Sequence, residues 1–263
     1  MKRFEGKVVL ITGAGSGMGA ATSELMASEG AKVCLLDFNT TNGQKQEAKL
    51  KGLGYDATFY QVDITDRKVV ADVFKQANDK YGHLDVLVNC AGCMTAHGMA
   101  DENNEEHNKI AQRVLNVNIN GTNNCSAEII KYFRANGGGN IVNIGSQSSR
   151  LAYAGDWAYV TSKAGIEGLT RSYAISYAAE NIRCNCVLPY VVLTEGAIQS
   201  LLDAGVSEED SHADAPNPMN KPIEASDIAY AIMFLASDQA RRINGQFIEV
   251  DCGISCMMPA SVY

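Results

Sequence analysis

Three residues within one short stretch have the types and spacing to move a proton at a carbonyl or an alcohol: Ser146, Tyr159 and Lys163. Tyr159 and Lys163 are four positions apart, so on a helix they share one face and their polar ends can converge. A phenol in water ionises near ~10, too high for ready proton exchange at neutral pH. A neighbouring ammonium favours the phenolate and brings the phenol into use as an acid and base. Ser146 stands thirteen positions before Tyr159, and its hydroxyl can hydrogen-bond the same oxygen that the tyrosine protonates. A Tyr-x-x-x-Lys pair also arises by chance on exposed helix faces. The weight of the reading therefore rests on the elements that would position it.

Around the triplet, Ile141, Val142 and Ile144 mark a buried strand, followed by a short loop and the start of a helix. That places Ser146 at the carboxyl end of a strand, where open α/β sheets bind their ligands. At the amino end of the chain, residues 7–12 (K-V-V-L-I-T) form a continuous apolar run, expected of a parallel strand buried on both faces. Gly13, Gly15, Gly17 and Gly19 follow, and then a helical pattern to Glu29. A strand, a glycine-rich turn and a helix start make an anion site, because bare backbone N–H groups and the helix dipole both face the turn. The strict G-x-G-x-x-G spacing is broken by Met18.

A second strand over 32–36 runs into Asp37, eighteen positions after Gly19. That is near the ~20-residue offset at which a carboxylate meets the adenosine ribose hydroxyls. Such a carboxylate repels a 2′-phosphate. No Lys or Arg stands in the turn, nor after Asp37 until Lys45, so NAD is expected over NADP. Helix 44–51, strand 58–62, helix 69–81 and strand 84–88 continue the alternation, giving a Rossmann-like, doubly wound parallel α/β sheet. No linker or repeat divides the chain, so residues 1–263 read as one domain. A helix over 225–236 is expected, capped near Ser226.

Composition narrows the classes. The chain of 263 residues is 46% hydrophobic and 20% charged, with a net charge of −8. The acidity argues against nucleic acid as a partner. No apolar stretch approaches the ~18 residues that span a membrane, and no signal peptide stands out, so a cytoplasmic protein without membrane partners is expected. Eight cysteines without a secretory signal read as free thiols. Cys90 and Cys93 have redox spacing, but no second C-x-x-C completes a zinc site, and no metal is expected.

Six elements in order resemble the short-chain dehydrogenase/reductase family over nearly the whole chain. They are the turn from Thr12 to Gly19, Asn89-Cys-Ala-Gly92, Asn118-Ile-Asn-Gly121, Ser146, Tyr159 with Lys163, and Gly245 to Gly253. The resemblance implies a single-domain sheet of about seven strands. The pyrophosphate of the dinucleotide would rest on Gly13, Ser16, Gly17, Met18 and Gly19, and the ribose on Asp37. Asp63 and Ile64 would flank the adenine, with Asn89, Ala91 and Gly92 backing the cofactor and Pro189, Val192 and Thr194 near the nicotinamide. It further implies that Lys163 holds the nicotinamide ribose, that Tyr159 is the acid and base, that Ser146 polarises the substrate oxygen, and that Asn118 holds a water leading from Lys163 to solvent. A mobile substrate lid would lie around 195–219, and the assembly would be a homotetramer or a homodimer.

The family usually has Pro-Gly where this chain has Pro189-Tyr190. Either the backbone there does not need a positive φ, or Tyr190 projects into the substrate space. Gln147, Tyr153, Trp157 and Tyr190 are the candidate substrate-lining residues. The expected reaction interconverts a small-molecule secondary alcohol and its ketone. A hydroxysteroid, steroid or bile acid, is the first candidate substrate; a sugar alcohol or small diol is the next. A non-catalytic NAD-sensing protein and a thiol oxidoreductase on Cys90 and Cys93 are the readings from other classes.

Overall fold

Seven parallel strands carry the chain, and their side chains sort by the two-residue period of a strand. The computed structural model describes residues 2–94, 104–152, 155–194 and 216–257, together with 198, 202 and 207. In chain order the elements are β1 (Val8–Thr12), α1 (Gly17–Ser28), β2 (Lys32–Asp37), α2 (Thr40–Gly52), β3 (Ala57–Gln61), α3 (Arg67–Tyr81) and β4 (Val86–Asn89). There follow α4 (Glu105–Leu115), α5 (Thr122–Ala135), β5 (Gly139–Ile144), α6 (Trp157–Ser176), β6 (Ile182–Pro189), α7 (Ala225–Ala236) and β7 (Phe247–Val250). The strand order is β3-β2-β1-β4-β5-β6-β7, all parallel. The order reverses direction between β1 and β4, which opens a crevice at the carboxyl ends of the strands.

Each face of the sheet has its own core. Val9, Ile11, Val33, Leu35, Val86, Val88 and Val142 pack against Met26 of α1 and Ile228 and Ile232 of α7. Their alternates Val8, Leu10, Cys34, Leu36, Leu87 and Ile141 pack against Phe74 of α3 and Ile129 and Phe133 of α5. Burial on both faces is why these strands read as unbroken apolar runs. The resulting single doubly wound domain is the one expected.

Local signals explain where element ends depart from the hydrophobic pattern. Helix α2 begins at Thr40, ahead of its apolar residues, because the Asn39 side chain accepts a hydrogen bond from the Asn42 N–H at 3.0 Å. Helix α7 is capped not at Ser226 but by Glu224, in a reciprocal capping box with Asp227. Between α4 and α5 the helix widens into a π-helical turn, Asn116–Gly121, a local irregularity frequent at functional sites. Among the described residues no helix is long and apolar enough to cross a membrane.

Arg183 of β6 joins sheet to helix at the end opposite the crevice. It is buried, and its guanidinium donates to the carbonyls of Leu235 (3.0 Å), Ser237 (3.2 Å) and Ile243 (3.1 Å). A cation there also suits the negative end of the α7 dipole. Replacing it, Arg183→Met, strands those carbonyls and is expected to lower unfolding stability by about 2–3 kcal/mol in a urea titration.

Candidate functional site

The glycine turn brings main chain against main chain. Gly13 (φ 66°) and Gly17 (φ 50°) occupy left-handed conformations. A Cβ on Gly13 would lie 2.8 Å from the Ala91 Cα, and one on Gly19 would lie 2.1 Å from the Gly13 carbonyl oxygen. Only bare backbone lets the first turn of α1 approach β1 and β4 this closely. Thr12 draws β4 in, its hydroxyl oxygen accepting the N–H groups of Cys90 and Ala91, both at 3.1 Å. Ser16 precedes α1 without making a side-chain capping bond to the first amides of the helix.

Asp37 closes β2 at the same level. Its carboxylate accepts the N–H of Gly15 and of Asn39, each at 2.8 Å, and a Cβ on Gly15 would sit 2.9 Å from the carboxylate. The crevice encloses about 1530 Å³, more than the roughly 300–1,000 Å³ of a drug-sized ligand site. Its wall includes Ser16, Met18, Asp63, Ile64, Gly92, Pro189, Val192 and Thr194 besides the glycines and Asp37. The cradle therefore fits a long dinucleotide. Among the described lining residues Arg113 and Lys163 carry positive charge, and neither belongs to the glycine turn or to β2. A second hollow, about 180 Å³, lies at the opposite end of the sheet beside Lys7, Asp85 and Arg183, and holds none of the candidate groups.

Ser146, Tyr159 and Lys163 all line this one crevice. Lys163 is 7% exposed, and its ammonium donates to the carbonyl of Ile144, the last residue of β5, at 3.0 Å. The same ammonium lies 5.5 Å from the centroid of the Tyr159 ring. A Cβ on Gly92 would stand 3.7 Å from it, so the bare glycine keeps this corner open. Ser146 is extended (φ −168°), and its hydroxyl oxygen accepts the Ser148 N–H at 3.1 Å.

The turn after Ser146 is clamped from several sides. Ser149 donates to Glu167 at 2.5 Å, and Arg150 pairs with Glu167 at 3.3 Å and with Glu249 of β7. Gln147 donates its amide to Asp251 at 2.9 Å, and its own carbonyl oxygen is buried without a hydrogen-bond partner. A buried acceptor left in that state costs about 1–3 kcal/mol. Burial alone would raise the Asp251 carboxyl; hydrogen bonds from Ser255 and the N–H groups of residues 253 and 255 outweigh it and hold the group below its ordinary range.

Three expectations need correction. Trp157 does not line the crevice: it opens α6, is 45% exposed, and lies two residues from Tyr159. Two residues are about 200° around a helix, so the two rings leave on opposite sides. Asp156, just before α6, stands in the wall instead. Asn89 does not reach the crevice either; the strand period turns its side chain towards α5, and it donates to Ser126 of α5 (2.9 Å) and Asn143 of β5 (2.8 Å). Asn118 is fully buried, with its amide oxygen accepting the Cys93 N–H and its NH₂ donating to Cys93 and Ser162, all at 2.9 Å. That side chain is a strut under residue 93, with all of its polar atoms already engaged by protein partners.

Tyr190 lines the crevice, and its φ is not positive, so the chain needs no glycine there. Gln147 is also in the wall. Tyr153 and most of the lid expected over 195–219 lie outside the described residues, though Ile198 and Leu202 are helical and 216–219 are described. Among the described residues no three His, Cys, Asp or Glu side chains gather as metal ligands. The thiol reading has little chemistry to work with: burial pushes the Cys90 thiol up to about 12 and raises Cys93 as well.

A family model described as enoyl-(acyl carrier protein) reductase matches residues 13–255. The chain is 34% identical over 255 residues to the 3-oxoacyl-(acyl-carrier-protein) reductase FabG of Thermotoga maritima, covering 96% of this chain and 99% of that one. It is 34% identical over 262 residues to the 7alpha-hydroxysteroid dehydrogenase of Bacteroides fragilis, covering 98% of each. The crystal structure of a levodione reductase superposes with a TM-score of 0.90 at 27% identity, over 97% of this chain and all of the other. The chain therefore belongs to the short-chain dehydrogenase/reductase family, oxidoreductases that use a nicotinamide cofactor.

The thiols supply a check on the site's chemistry. Only a thiolate is alkylated readily, and burial also lifts Cys34 and Cys186 to about 12. At pH 8, iodoacetamide is expected to label exposed Cys256 within minutes and to leave Cys34, Cys90 and Cys186 unlabelled until the chain unfolds, as read by peptide mass spectrometry.

Proposed function

We propose that the protein is an NAD-dependent dehydrogenase that interconverts a secondary alcohol and its ketone. The observation that carries this reading is that Ser146, Tyr159 and Lys163 share one crevice with the glycine turn and the Asp37 carboxylate. Bound NAD would accept the hydride from the carbinol carbon, or NADH would return it. Tyr159 takes the hydroxyl proton during oxidation and gives it back during reduction. Lys163, anchored on Ile144, presents its ammonium to the Tyr159 ring and would hold the nicotinamide ribose. Ser146 steadies the oxygen as its charge changes, a small preorganised contribution.

The cofactor preference rests on Asp37. A carboxylate at the end of β2 accepts ribose hydroxyls and repels a phosphate in their place. The substrate assigned first is a hydroxysteroid, supported by the name of the Bacteroides fragilis relative and by the partly apolar wall that Tyr190 lends the crevice. A sugar alcohol or small diol is the second candidate. A net charge of −8 does not favour an acidic carrier protein as the docking partner. A cytoplasmic homotetramer, without nucleic acid or membrane partners, completes the proposal.

The test is NADH formation from a panel of hydroxysteroids, bile acids and polyols, run with NAD and with NADP. Tyr159→Phe is expected to lower turnover at least about 100-fold while NAD binding by calorimetry persists. NAD binding without turnover of any alcohol by the unaltered protein would favour the sensing role instead. Asp37→Ser is expected to raise the NADP-to-NAD preference at least about tenfold, since it removes the charge that opposes the 2′-phosphate. Equal use of both cofactors by the unaltered protein would refute the assignment of Asp37.

A further inference from the structure

The hydroxyl of Ser146 is tied twice to the residue two positions on. Its oxygen accepts the Ser148 N–H at 3.1 Å, and its proton goes to the Ser148 hydroxyl oxygen at 3.2 Å. A serine hydroxyl has one proton to give and two lone pairs. The proton that Ser146 needs for a substrate oxygen is therefore spent on Ser148, and one lone pair of Ser146 is left over. Ser146 is half-buried in the crevice wall, whereas Ser148 behind it is 4% exposed. Among the described residues the Ser148 hydroxyl has no hydrogen-bond partner besides Ser146. The heavy atoms of the turn are held in place. Ser149 gives its N–H to the Ser146 carbonyl at 3.0 Å and its hydroxyl to Glu167 at 2.5 Å, and Arg150 pairs with Glu167 and Glu249. What remains free to turn is the pair of hydroxyl hydrogens.

We propose that Ser148 is a positioning residue for Ser146: when a carbonyl or carbinol oxygen takes the Ser146 proton, Ser148 turns its own proton onto the Ser146 oxygen. The inference rests on the dehydrogenase reading and extends its machinery by one residue. The two oxygens need not move, because one separation serves a hydrogen bond of either direction. At 3.2 Å the pair is also longer than the usual ~2.7–2.8 Å for two hydroxyls, so the bond seen here gives way easily. After the turn the Ser146 oxygen accepts both the N–H and the O–H of residue 148. Its own proton then has one destination, the substrate oxygen. Hydrogen bonds in a chain polarise one another, so donation by Ser148 strengthens donation by Ser146. The gain falls where negative charge develops on the reacting oxygen, the point at which a preorganised donor counts most. Each serine keeps its hydrogen throughout, and Ser148 touches no substrate.

The experiment is a double-mutant cycle on kcat/KM, with NAD and the panel alcohol that the unaltered protein turns over best. Ser148→Ala is expected to lower kcat/KM about 5–10-fold when Ser146 is present. In the Ser146→Ala background the same change should alter the residual kcat/KM by less than about twofold, because the group it acts through is gone. A second reading is the affinity of the matching ketone for the NAD-bound protein, where no hydride can be transferred. It should fall at least about threefold with Ser148→Ala and stay put when Ser146 is already alanine. Equal losses in both backgrounds would mean that Ser148 only shapes the turn, and they overturn the inference. An unchanged or raised kcat/KM in Ser148→Ala overturns it as well, a rise showing that Ser148 merely competes for the proton. In all three cases the dehydrogenase reading stands, provided that turnover vanishes with Tyr159→Phe. No NADH above the Tyr159→Phe baseline from any panel alcohol counts against the dehydrogenase reading itself, and the inference falls with it.

Discussion

A buried charge is costly unless it finds strong partners, and the crevice is arranged around one such charge. Lys163 is 7% exposed and has the carbonyl of Ile144 as its acceptor at 3.0 Å. Ile144 ends β5, where the sheet ladder stops needing its acceptors. This bond ties α6 to the end of β5, and through that end it sets Tyr159 relative to Ser146. The tyrosine ring, 5.5 Å from the ammonium, offers its negative face, and bare Gly92 leaves the other side open. Tyr159 and Ser146 lie thirteen residues apart in sequence; the lysine and a strand end bring them to one wall.

Behind that wall a polar scaffold runs through the sheet and under the helices. Asn89 donates to Asn143, and Asn143 donates in turn to Thr170 of α6 at 2.9 Å. Asn118 holds residue 93 through both its main-chain groups and reaches Ser162 on α6. All of these asparagines are buried, where hydrogen-bonded amides define one arrangement more sharply than apolar packing does. The π-helical turn Asn116–Gly121 puts Asn118 at that point and lets Gly121 pack flat on Ile64. Helices α4, α5 and α6 are thereby registered on the carboxyl edge of the sheet, where the candidate groups lie.

Much of this was legible before any coordinates. Strands buried on both faces announce themselves as apolar runs, and the glycine turn between β1 and α1 needs residues without Cβ atoms at Gly13 and Gly19. Asp37 could be placed because a strand end is a fixed position in a parallel sheet. Direction and partnership were harder to read. Trp157 is expected at the crevice as an aromatic candidate and Asn89 through the family resemblance, and helix and strand periods turn both side chains away from it. Asp156 carries no motif, and the Glu224 cap lies outside the apolar pattern of α7.

What the sequence by itself determined is the alternation of strands and helices, the turn that only glycine can make, and the types of residue that can exchange a proton. These follow from local rules, since hydrophobic period, backbone freedom and side-chain chemistry act within a few residues. Only the tertiary structure decided that Lys163 hangs on the end of β5, that Asn118 is a strut, and that Asp251, 104 positions away, accepts the Gln147 amide. The physical reason is that a hydrogen bond depends on distance and angle between atoms, and those are set by how the strands line up.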